Sequence, residues 1–108
     1  MEYTIPDLWR MLPQAFIPEK AAGVDADIQL HMTGDGGGDY AVMIHNQKLE
    51  TKEGTVLNPD LTFTISAVDV VEIANRRLDP MRAFMSGRIQ MNGNMHKAMS
   101  LLSLFRMP

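Results

Sequence analysis

Hydrophobic and polar residues along the chain follow helical spacing first, then strict alternation, then helical spacing again. Thr4-Ile5-Pro6-Asp7 has the form of a helix start, with Thr4 as N-cap, Pro6 in the first turn and Asp7 three residues after the cap. Leu8, Trp9, Met11 and Leu12 give this helix an apolar stripe, and Pro13 is expected to interrupt it. Residues 16–23 read as one further helical turn closed by Gly23. The period then becomes two. Ala26, Ile28, Leu30 and Met32 alternate with Asp27, Gln29, His31 and Thr33, which predicts a strand with one buried face. After the loop 34–39, residues 40–45 form a second strand, with Val42 and Ile44 assigned inward. Asn46-Gln47 makes a tight turn in which Asn tolerates a positive φ. Lys48 to Glu53 is a charged edge strand, and 61–66 is the clearest alternation in the chain: Leu61, Phe63 and Ile65 inside, Thr62, Thr64 and Ser66 outside.

Helical spacing returns at Ser66-Ala-Val-Asp69, a capping pattern followed by Val68, Val71, Ala74 and Leu78 on one side. Asp79-Pro80 starts the next helix, with Met81, Phe84 and Met85 inward and Gly87 as its end. Ile89 to Asn92 alternates as a last strand. Asn94 caps a closing helix over 95–105, whose apolar line is Met95, Ala98, Met99, Leu102 and Phe105.

The order α, β, β, β, β, α, α, β, α places strands early and helices late. This predicts a single α+β domain over residues 1–108, a five-stranded, mostly antiparallel sheet covered on one face by helices. A chain of 108 residues buries enough surface for one core and one pocket. No stretch approaches the roughly 20 apolar residues of a membrane span. The N-terminal residues lack the basic start and apolar run of a secretory signal, the C-terminal residues are not a peroxisomal tripeptide, and there is no cysteine. Together these favour a cytoplasmic setting and leave no disulfide or thiolate chemistry.

Ten methionines are unusual for this length. Five of them, Met81, Met85, Met91, Met95 and Met99, crowd the C-terminal part, where an unbranched, polarisable side chain suits ligands of variable shape. The net charge of −3 is unevenly spread: residues 1–54 carry four basic and nine acidic side chains, residues 55–108 six and four. A pI near 5.5 and few aromatics among the basic residues argue against nucleic acid as a partner. Arg76, Arg77, Arg82 and Arg88 form the basic group, suited to a solvated helix face or to transient contact with an anionic membrane.

No catalytic or metal constellation is legible. The Gly34–Asp39 run lacks the third glycine and following helix of a dinucleotide loop, and a calcium loop begun at Asp35 would carry Asn46 where a bidentate Glu is needed. In a hairpin centred near Gly36, His31 falls near Ala41 and His45 near Asp27, putting the two histidines roughly 13 Å apart, too far for one Zn²⁺. That register suggests an Asp27–His45 pair. His96 precedes Ser100 by one turn with no third group to orient it. The acidic residues sit at caps, in turns or on the polar strand face, so neither an enzyme nor a cofactor is expected.

Several phrases together resemble the sterol carrier protein type 2 family: residues 16–30, the Gly34–Gly38 turn, Asn58-Pro-Asp-Leu-Thr-Phe-Thr-Ile, and Leu78 to Met95, the most specific of them. The resemblance covers about residues 14–105. Three positions depart from it: Asn46-Gln47 in the turn, Asn75-Arg76-Arg77 where a glycine is common, and Asn94 after Gly93. The resemblance implies an apolar tunnel behind the sheet and a non-catalytic lipid binder or carrier, of free-standing bacterial type, with acyl lipids favoured over sterols. The residues expected against the ligand are Leu30, Met32, Phe63, Ile65, Phe84, Met85, Met91, Met95, Met99 and Leu102, with Arg76 and Arg77 at the headgroup. Binding is expected to be micromolar and weakly selective, because about 0.8 kcal/mol per buried methylene is offset by the cost of association. The alternative is an interaction or dimerisation module that uses the same groove beside a lipid-metabolising enzyme.

Overall fold

A sheet in the strand order β3-β2-β1-β4-β5 organises the chain, in a computed structural model that describes residues 2–106. Along the sequence the elements are α1 (Ile5–Ala15), a 3₁₀ turn (Pro18–Ala21), β1 (Ala26–Thr33), β2 (Gly38–His45), β3 (Lys48–Glu53), β4 (Leu61–Ser66), α2 (Ala67–Ala74), α3 (Pro80–Met85), β5 (Gln90–Gly93) and α4 (Met95–Leu102). All pairings are antiparallel except β1 with β4. The α+β class and the predominantly antiparallel sheet therefore hold.

Alternation assigns the faces. Ile28 lies between Val42 and Leu61, and Leu30 between Tyr40 and Phe63, so the even residues of β1 and β2 share one apolar face with the odd residues of β4. The other face carries Asp27, His31, Thr62 and Thr64. Helices cover the apolar face: Ala98, Leu101 and Leu104 pack with Phe16, Ala21, Ala26, Ile44 and Leu61 in one buried cluster. Trp9 of α1 stacks obliquely on Tyr40, with ring centroids 4.8 Å apart.

Local chemistry sets the element ends. Thr4 and Asp7 form a reciprocal capping box, the Thr4 amide donating to Asp7 at 2.9 Å. The bonds from Thr4 hold the Asp7 carboxyl below its ordinary value. Ser66, Asp79 and Asn94 cap α2, α3 and α4 through their side chains. The Asn46-Gln47 turn has φ of +54° and +61°, the conformation of a tight hairpin, and Gln47 adds a bond to the Pro18 carbonyl. At Gly93 an added Cβ would lie 2.6 Å from a Leu61 methyl and 2.8 Å from the Asp60 carbonyl oxygen, so only glycine lets β5 close on β4.

Several expectations need correction. Pro13 does not interrupt α1, which runs on to Ala15: its missing N–H frees the carbonyl of Trp9, on a helix with no fully buried residue. The β1–β2 register is shifted by two residues, His31 facing Asp39 instead of Ala41. Because two is the side-chain period, the shift leaves every face unchanged. His45 does bond Asp27, at 2.8 Å through Nε2, and also Asp25, at 3.0 Å through Nδ1. The closing helix stops at Leu102 and continues as a turn.

The crossover from β3 to β4 was not anticipated. Residues 54–60 pass over the otherwise polar face, and Gln29, only 2% exposed, fastens them. Its Nε2 donates to the carbonyls of Tyr40 and Gly54 at 3.0 Å, and its Oε1 accepts from the Val56 amide at 2.9 Å. The Gln29→Ala variant strands these backbone groups and is expected to lower unfolding free energy by about 2–3 kcal/mol, read as a lower urea midpoint. The carboxylates of Asp27 and Asp25 raise the His45 pKa above its ordinary value. The stabilisation is therefore full below about pH 6.5 and fades as pH rises through the higher folded value. His45→Gln should accordingly lose more stability relative to wild type at acidic than at alkaline pH, and NMR should show His45 titrating above a free histidine.

Candidate functional site

Parallel pairing of β1 and β4 brings Leu30 beside Phe63 and Met32 beside Ile65, and β5 adds Met91 opposite Phe63. This is an apolar floor at the end of the sheet away from the α4 cluster. Above it lies a groove of about 310 Å³, lined by Leu8 from α1, Leu30, Phe63 and Ile65 from the floor, Val70, Ile73 and Ala74 from α2, and Ile89 ahead of β5. The size is at the lower end for small-molecule sites. Almost no polar surface contributes to the lining, so the space suits an alkyl or other apolar group and offers nothing to hold a charge. It is an open groove here, where a tunnel was expected.

The structure brings three of the ten expected ligand residues, Leu30, Phe63 and Ile65, to this groove. Met32 is buried in the floor, while Phe84 and Met91 are half-buried. The others do not face the sheet. Met85 is 81% exposed, Met99 and Leu102 54%, and Met95 45%. The reason is helix phase. α3 touches the body through Ala83, and α4 through Ala98, which the sequence pattern had assigned inward, and through Leu101, which it had not; Met81 and Met85, and Met95, Met99 and Leu102, also assigned inward, are exposed. At 100° per residue, Met95, Met99 and Leu102 lie about a quarter turn from the packed line of α4. The opposite flank of α4, with Lys97 and Ser100, meets the Gly23–Asp25 turn. The methionine flank is the other side of α4, and it is exposed.

Lining residues missed from the sequence are Leu8, Val70, Ile73, Ala74 and Ile89. On α2 the spacing of Val70, Ile73 and Ala74 was available, but Val68, Val71 and Ala74 fit a helical period equally well. Val68 proves 67% exposed.

The arginines differ from expectation. Arg77 is taken up by Glu72, at 2.9 Å from both Nε and Nη2, and by Glu2 at 2.6 Å. Those carboxylates raise its pKa further, and Glu72 falls below its ordinary value in return. Its guanidinium is thus not available to a headgroup as placed. Arg76 is exposed just beyond α2 with a φ of +60°, the left-handed position where a glycine commonly ends a helix. Elsewhere, the Ser100 hydroxyl donates to the His96 backbone carbonyl at 3.1 Å and not to its ring. Among the described residues no group of three or more His, Asp or Glu is placed to hold a metal ion, and no helix is long and apolar enough to cross a membrane.

Comparison with known proteins matches this geometry. The sterol carrier protein domain 2 of Helicoverpa armigera is 32% identical, over 79% of this chain and 69% of that one, with a TM-score of 0.58. The palmitated SCP2L2 of Aedes aegypti is 18% identical, covering 94% and 93% of the two chains, with a TM-score of 0.68. An inverting sec-alkylsulfatase, Pisa1 from Pseudomonas sp., matches 98% of this chain at a TM-score of 0.78 and 22% identity, but this chain spans only 17% of that enzyme. Residues 11–106 match the SCP-2 sterol transfer family, and the chain belongs to that family.

Proposed function

We propose that this protein binds single acyl chains in the groove between α1, α2 and the β1–β4 floor, and carries them without chemical change. The observation that carries this reading is the apolar, unfilled space over Leu30, Phe63 and Ile65. Family membership points in the same direction, toward lipid binding or transfer. The palmitated Aedes relative supports a fatty acyl ligand of similar length.

A chain longer than the groove has an apolar path onward. It passes over the half-buried Met91 and Phe84 toward the Met95, Met99 and Leu102 flank of α4. These flexible side chains adapt to a tail of variable length and turn an open groove into a closed channel around it. Met85, directed outward, drops from the binding set. The polar end of the ligand stays at the mouth, where Arg76 lies two residues beyond Ala74 and is the candidate for an anionic headgroup. A chain without cysteine suits a reducing compartment, and carriage in the cytoplasm is part of this proposal.

A second reading is favoured by the sulfatase, in which a fold like this one makes up a small part of a larger enzyme. Here the domain would present an apolar substrate to a catalytic partner. Both readings need the groove to hold an alkyl chain, and they differ in whether a bound partner competes with it.

Displacement of a fluorescent fatty acid tests the binding. Saturable micromolar binding of a C16 acid is expected, and its absence in folded protein would end the reading. Ala74→Trp fills the groove and should weaken binding of short and long chains alike. Met99→Asp places a charge on the exposed α4 flank, where folding tolerates it, and is expected to weaken C16 about tenfold while leaving a C8 acid nearly unchanged. Equal loss for both lengths would mean that the tail does not reach α4.

A further inference from the structure

α3 is packed the reverse way to an ordinary surface helix. Its small residue, Ala83, is completely buried, while Met81 is 58% and Met85 81% exposed. One turn apart, the two methionines stand together on the side roughly opposite Ala83. Side chains this exposed are not explained by core packing.

Charge distinguishes the same region. From Arg76 to Arg106 there are six basic side chains and one acidic, Asp79. Arg77, Arg88 and Lys97 have carboxylate partners in Glu72, Asp69 and Asp60. Arg76 and Arg82 have none among the described residues, and both are exposed. Asp79 is occupied as the N-cap of α3, accepting from the Arg82 amide at 3.0 Å. α3 is thus a short helix with two outward methionines, the exposed and unpartnered Arg82 within it and Arg76 a few residues ahead of it in the chain.

We propose that α3 docks the protein on an anionic lipid bilayer, Met81 and Met85 entering the boundary between headgroups and acyl chains while Arg82 and Arg76 meet lipid phosphates. Apolar side chains ringed by unpaired cations complement an anionic bilayer, which supplies both phosphates and a greasy layer at the right depth. Placement gives the docking a use. Ala74 and Ile89, the residues on either side of the segment that contains α3, both line the groove, so a docked α3 brings the groove's mouth to the membrane. That use rests on the lipid-binding reading, whereas the docking stands without it.

Vesicle co-sedimentation of the full chain tests the proposal, using phosphatidylcholine vesicles with and without phosphatidylserine. Binding is expected only with phosphatidylserine and should fall with salt. Arg82→Gln should lower partitioning about fivefold. The Met81→Gln/Met85→Gln pair, on a surface where folding is indifferent, should lower it about tenfold or more. Affinity for a free fatty acid in solution should stay unchanged in both variants, so loss of docking is distinguishable from loss of the groove. Three results would overturn the proposal: no binding to anionic vesicles, binding that neither variant weakens, or a self-association removed by the methionine variant in place of vesicle binding.

Discussion

Parallel pairing of β1 with β4 is the constraint from which the rest of the structure follows. Antiparallel neighbours can be joined by a tight turn, as β2 and β3 are, but a parallel pair needs a connection that crosses the sheet. Here β2 and β3 are inserted before β4, so the chain must return from the far edge, and it does so as residues 54–60 on the polar face. Gln29, itself buried, fastens that return by bonding three part-buried backbone groups. With β4 in place, Leu30 meets Phe63 and Met32 meets Ile65, and the floor of the groove exists.

The groove stays open because the helices approach the sheet through small residues. α2 buries Ala67, α3 buries Ala83, and α4 buries Ala98 beside Leu101. Alanine contacts bring helix backbones close to the sheet where they touch, and they send the larger apolar side chains of each helix sideways. At one end, Phe16, Leu101 and Leu104 fill the space against Ala26, Ile44 and Leu61. At the other, Leu8, Val70, Ile73 and Ile89 line the space over Phe63 and Ile65 without filling it. Stability and binding capacity are therefore placed at opposite ends of one apolar face.

Electrostatics plays a smaller part in holding the fold. The ion pairs are largely exposed, and pairs of that kind contribute little. Their effect here is to sort the arginines. Arg77 is committed to Glu72 and Glu2, Arg88 faces Asp69, and Arg76 and Arg82 remain for other contacts. The same sorting operates on the polar face, where His45, at the end of β2, is held by Asp25 and Asp27.

The strands, their faces, the caps at Thr4, Ser66, Asp79 and Asn94 and the turn at Asn46-Gln47 could all be read from the chain alone. A period of two has only two phases, and polar residues such as Asp27, Thr62 and Thr64 exclude one of them; even the two-residue slip in the hairpin left each side chain on its expected face. The family phrases from Leu78 to Met95 were legible for the same reason, since cap, glycine and alternation are local chemistry. Helix orientation was decided only by tertiary packing. α4 carries Met95, Ala98, Met99, Leu101 and Leu102, apolar over nearly half its circumference, so more than one phase satisfies the pattern and only the shape of the sheet beneath selects Ala98 and Leu101. Likewise the parallel placement of β4, the fastening by Gln29 and the pairing of Arg77 depend on residues distant in sequence, whose approach no local period records.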